Sequence, residues 1–212
     1  MKLGRQRIRR STVPARAAAV ALAQGAWELD PSRSAIGFAV PFWWGFGTVE
    51  GRFTQYAGHL DLRGRPAIAL TIDAASVDTG NPRRDHRLRS DEFFAVNRHP
   101  YIRFVSRVVR LQGDRLSVLG DLTARGARID VEVEATVSAA DGEYQLDAET
   151  FVMHSGLGLT WNRAGITRPW SKLVVGGRLV HVPAEPRSAT PGRRPARACH
   201  GPIPAWAWRC PQ

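Results

Sequence analysis

The stretch Ile129-Asp130-Val131-Glu132-Val133-Glu134-Ala135-Thr136-Val137 decides the fold class. Apolar residues occupy every odd position and polar ones every even position. Alternation at period two puts one dry face and one charged face on a β-strand, whereas a helix would scatter the acids around its circumference. Other segments repeat the pattern. Ile68, Leu70 and Ile72 share a face in 67–74, as do Leu116, Val118, Gly120 and Leu122 in 116–122. Tyr144, Leu146, Ala148, Thr150 and Val152 oppose Gln145, Asp147 and Glu149, and Leu173, Val175, Gly177 and Leu179 form a last inward face. Segments 36–41, 48–53, 56–63 and 101–111 are further strand candidates. The links Gln112-Gly113-Asp114, Arg125-Gly126 and Asp141-Gly142 are short and rich in turn residues, which makes the neighbouring strands antiparallel. Eight or nine such strands form a meander, and a meander this long closes on itself to remove its edges. The expectation is an all-β, eight-stranded antiparallel barrel, just wide enough to hold its own side chains or one ligand.

One segment breaks the alternation. Residues 81–96 carry clustered charges followed by Phe93-Phe94, and read as a short helical excursion with the two rings plugging one barrel end. Ser90 before Asp91 and Glu92 has the form of a helix N-cap with acids in the first turn.

The chain of 212 residues bears a formal charge of +11, but the excess sits in its ends. Residues 1–26 hold six basic groups and no acid, and residues 183–212 hold five against Glu185. The remaining 27–182 keep 19 basic and 18 acidic groups, a net of +1. A nucleic-acid reader carries its basic stripe on the folded part, so the domain is not expected to bind nucleic acid. Residues 183–212 contain seven of the fourteen prolines and read as a disordered tail in which Cys199 and Cys210 are unligated thiols. The first 26 residues form a basic leader. Its apolar run, 17–23, is short and is preceded by Pro14 and Arg16, so a cytoplasmic protein is expected; the alternative is a signal peptide and export.

The run Ser76-Val77-Asp78-Thr79-Gly80-Asn81, then Arg84-Asp85, Leu88-Arg89-Ser90, Phe93-Phe94, His99-Pro100 and Phe104, resembles the signature of the YceI-like family of polyisoprenoid-binding proteins. Trp27-Glu28-Leu29-Asp30, Ser34, Ile36, Phe38, Gly51, Phe53 and Gly58 are similar to the family's opening strands, and Gly120-Asp121-Leu122-Thr123 to its central hairpin. The likeness covers 27–182. It implies a lipocalin-like barrel with an apolar tunnel that takes a polyisoprenoid or an isoprenoid quinone as ligand, with no other cofactor. It implies no catalytic residues. Three positions depart from many members: Arg33 and Phe42 where a His is common, and His154 where an Arg is common. If those positions handle the ligand's polar head, head-group preference differs here.

An inward apolar face on every strand serves a solid core as well as a hollow one, and the residues alone leave both open. For the hollow reading the candidate ligand contacts are the strand residues Val118, Val131, Val133, Leu146 and Val152, and the aromatics Phe38, Phe53, Phe93, Phe94 and Phe104. Phe42 and Trp44, with Trp43 and Phe46, are candidates for the mouth, where they could meet a membrane surface transiently. By alternation His154 ends a dry strand pointing inward, and His181 extends the last inward face. No metal-ligand spacing and no nucleophile motif occurs in the domain. The reading is non-catalytic binding, storage or transport of a long-chain isoprenoid-like lipid, with a homodimer left open. The alternative is a barrel enzyme, an isomerase or hydrolase of an apolar substrate, with His154 as its acid–base group.

Overall fold

A computed structural model describes residues 24–42, 47–140, 143–159 and 169–183, with the side chains of residues 42 and 140 left undescribed. Residues 1–23 of the leader, residues 184–212 of the tail with its cysteines, and Trp43, Trp44 and Phe46 lie outside these residues, while Ala26, placed in the leader by the sequence, opens β1 of the barrel. Eleven strands form in chain order: β1 (Ala26–Leu29), β2 (Ala35–Phe42), β3 (Gly47–Phe53), β4 (Tyr56–Asp61), β5 (Ala67–Asp73), β6 (Val77–Asp78), β7 (Tyr101–Gln112), β8 (Arg115–Ala124), β9 (Ala127–Ala140), β10 (Glu143–Met153) and β11 (Trp170–Val182). One helix, α1 (Pro82–Arg89), sits between β6 and β7.

Every pairing is antiparallel, and β1, β4, β5 and β7 to β11 close into an eight-stranded barrel. Closure runs through β1, which pairs with both β11 and β4. The remaining hairpin, β2–β3, lies beside β11 and reaches β6. β1 and β2 share one edge of β11: Leu179–Val182 face β1 and Lys172–Gly176 face β2. The chain breaks between them at a tight turn, where the Asp30 carboxylate accepts from the backbone N–H and the hydroxyl of Ser32 at 2.9 and 2.6 Å. Those bonds, and the Arg33 guanidinium after them, hold the Asp30 carboxyl down at about 2.

Local chemistry explains how the wall bends. Ser106 faces Gly120 and Val108 faces Leu119, so β7 carries a bulge at Arg107. A side chain at Gly120 would lie 2.6 Å from both the Phe104 ring and the Val105 carbonyl, so only glycine lets β7 and β8 approach there. The β8–β9 turn uses Arg125 and Gly126, both at positive φ (52° and 77°), as a two-residue hairpin with the right twist requires. Arg125 is held there because its guanidinium donates to the carbonyls of Gly158 and Asp91.

The helical excursion is present, but its cap is not the expected one. Ser90 ends α1; it does not begin a helix. Asn81 is the N-cap, accepting from the N–H groups of Arg83 and Arg84, with Pro82 at the first helical position. Asparagine followed by proline outcompetes Ser90 because Pro82 is already set at the helical φ and lacks the N–H that would go unpaired.

The signature residues prove to be the clamp that ties α1 to the barrel. Buried Asp85 accepts from the Thr79 N–H and hydroxyl at 3.0 and 2.5 Å. Arg84 donates to the Thr79 hydroxyl oxygen and carbonyl, and Arg89 to the carbonyls of Ala75 and Val77, both at 2.7 Å. Ser76, also buried, accepts from the Gln55 N–H and donates to the Asp73 carbonyl.

Candidate functional site: an apolar pouch inside the barrel

The inward faces do not meet in the middle. They enclose a cavity of about 710 Å³. Its wall is aliphatic and aromatic over most of its depth, with Leu29, Ile36, Leu60, Ile72, Leu116 and Leu179 among the lining residues. Eleven of the thirteen candidate contacts line it: Phe38, Phe53, Phe93, Phe94, Phe104, Val118, Val131, Val133, Leu146, Val152 and His154. Of the other two, Phe42 ends β2, and only its backbone is described; Trp44 lies outside the described residues.

The two ends differ. At one end stand α1, the β8–β9 turn and the segment after β10. Here the lining includes Arg84, Arg87, Glu92, Arg125, His154 and Ser171. The side chains of Arg87 and Glu92 are 73% and 74% exposed, so the cavity reaches solvent at this end. Phe93 and Phe94 meet edge to face at 4.8 Å and Phe94 faces Phe53 at 6.1 Å, a partial cover over the opening. Phe38 lies across the glycine opposite it on β3: a Cβ at Gly51 would sit within 3 Å of the Phe38 ring.

At the other end the pouch is blind. On strand after strand the inward residue stops lining it at one level. Leu29 lines it and Trp27 does not; Leu60 does and Leu62 does not. Ala135 and Val137 divide in the same way, as do Leu146 and Tyr144. Trp27, Leu62 and Val137 are buried, and Tyr144 packs edge to face on Trp27 at 4.8 Å. These four residues are a floor. His181 continues the inward row of β11 but lies past this floor, exposed, beside Trp27 at 4.9 Å. Among the described residues the expected tunnel is therefore stopped at one end, because the Trp27 and Tyr144 rings meet across β11.

His154 is where alternation puts it, just past β10 and facing the cavity, buried at 6% exposure. Its Nε2 is 2.5 Å from the Ser171 hydroxyl on β11. Burial pushes the imidazole below its ordinary value of about 6.5, since the cation loses its hydration there. A histidine depressed in the folded state adds stability that is full above the unfolded value and is lost as pH falls through the folded one. The thermal midpoint is accordingly expected to hold from pH 8 to about 6.5 and to drop below that. His154→Gln flattens the drop; an unchanged pH profile in that variant would assign the titration elsewhere.

Arg33 does not face the cavity. It binds Asp30 and Glu143, both at 2.7 Å, on the outer surface, and these contacts raise its pKa. The head-group reading of position 33 thus fails for a simple reason: two surface carboxylates hold the side chain outside.

Residues 27–178 match the model of the YceI-like domain, so the chain belongs to the YceI-like family. Its sequence is 35% identical over 95 residues to Protein YceI of Shigella flexneri, covering 43% of this chain and 50% of that protein. The match with Protein YceI of Escherichia coli O157:H7 has the same extent. The chain thus spans about half the length of these relatives. Among solved structures, Burkholderia cenocepacia BcnA is similar with a TM-score of 0.65 at 19% identity, over 72% of this chain and 99% of that one. A polyisoprenoid-binding domain from Saccharophagus degradans, implicated in plant cell wall breakdown, is similar with a TM-score of 0.60 at 16% identity, over 74% and 98%.

Proposed function

We propose that this protein binds one amphiphilic, isoprenoid-like lipid in the pouch and stores or carries it without chemical change. The apolar cavity, floored at one end and with most of its charged lining residues at the α1 end, carries this reading. Water that enters a space of 710 Å³ with mostly apolar walls finds few hydrogen-bond partners there, so its replacement by an apolar guest is favourable. A hydrocarbon chain fills it well, since each buried methylene contributes about 0.8 kcal/mol without a hydrogen bond. Arg84, Arg87, Arg125, His154 and Ser171 stand at the opening, where the head of such a lipid would rest. Membership of the YceI-like family and the likeness to a polyisoprenoid-binding domain support the same ligand class.

Full-length protein purified without detergent, then extracted with organic solvent, is expected to release a long-chain lipid detectable by mass spectrometry. Adding that lipid back to stripped protein raises the thermal midpoint in a concentration-dependent way. Repeated recovery of folded protein that holds no lipid and takes up no prenyl probe sinks the proposal.

A further inference from the structure

We infer that the Trp27–Tyr144 floor is a ruler that sets the length of chain the pouch accepts; this rests on the lipid-binding reading above. The cavity stops at one level on β1, β9 and β10 and just past the end of β4, where Trp27, Leu62 and Val137 are buried and Tyr144, half-buried, packs on Trp27. A chain lying along the barrel axis meets the edge-to-face pair of Trp27 and Tyr144 head on. Past that floor, excess length has nowhere to go but back out toward water. A dry cavity of about 150 Å³ holds one six-carbon ring, so 710 Å³ holds roughly 28 carbons, five to six isoprene units. The favoured ligand is a chain of that length with its polar end at the α1 opening. Longer chains bind with their surplus exposed and gain nothing from it.

The test uses the full chain, stripped of lipid, and a series of all-trans prenyl alcohols from three to nine isoprene units. Affinity is expected to rise at least about tenfold per unit up to five or six units and then to level off. Tyr144→Ala lowers the floor and moves the break upward by at least one unit. Ala135→Leu fills the space just above the floor and moves it downward by at least one. The second variant decides the matter if the first fails to fold by circular dichroism. A rise that continues through nine units, or a break that stays put in the folded variants, overturns the ruler while leaving lipid binding intact. Failure of every alcohol to bind removes the lipid-binding reading, and the ruler with it.

Discussion

Val133→Asp is expected to abolish lipid uptake, lowering affinity by at least about 100-fold, and to cost about 3 kcal/mol of stability. Val133 lines the cavity from β9, opposite Val118 on β8, with Val131 and Ala135 on either side of it on the same face. A carboxylate there keeps its water only while the pouch is empty, and an apolar guest must strip that water away. The sign of the pH effect follows. The surroundings penalise the charged form, so the folded-state pKa of the new carboxyl rises above the unfolded value of about 3.9. The penalty is therefore full at neutral pH and shrinks as the group protonates on acidification. Urea midpoints at pH 7 and pH 4, with uptake of a prenyl probe at each, measure both effects. Equal midpoints for variant and parent at pH 7 would place position 133 on the outer face.

The second large effect belongs to the clamp under α1. Asp85→Ala is expected to lower stability by about 3 kcal/mol, because two hydrogen bonds to a charged acceptor disappear together. The Thr79 N–H and hydroxyl lose their partner, and the Arg84–Thr79 contact loses the carboxylate behind it. Since α1 and Phe93-Phe94 cover the pouch, its opening loosens as well, and lipid leaves faster. Asp91→Ala is the contrast: that carboxylate is exposed and meets Arg98 at 3.4 Å, a surface pair worth a few tenths of a kcal/mol. Chemical denaturation of the two variants, with the off-rate of a fluorescent prenyl probe, separates them. Similar midpoints for both would mean that Asp85 is not the anchor.

The strands were legible because their information is local. The nine residues 129–137 contain their own inward and outward faces, and β9 follows them without a slip from Ala127 to Ala140. The inward position of His154 follows from the same count along β10. Its partner Ser171 does not, since it stands 17 residues away on another strand across a long connection. The double role of β1 was hidden for a related reason: a four-residue strand carries too little pattern to announce that it closes a barrel on both edges. Ser90, followed by two acids, has a cap's composition, but only Asn81 has a proline preset at the next position, and the helix starts there. The hollow and its floor were invisible in the pattern. Trp27 and Tyr144 occupy the same inward rows as Leu29 and Leu146, and alternation records direction without recording how far each side chain reaches.

A vessel floored at one end imposes an order of events on the lipid proposed as its cargo. The greasy end of the guest must go in before the polar end and must come out after it. Under the lipid-binding proposal a donor therefore releases the head last and an acceptor takes it first, both at the α1 rim. On that proposal, delivery and collection compete for one threshold, and the protein lets go of one partner before it serves the next.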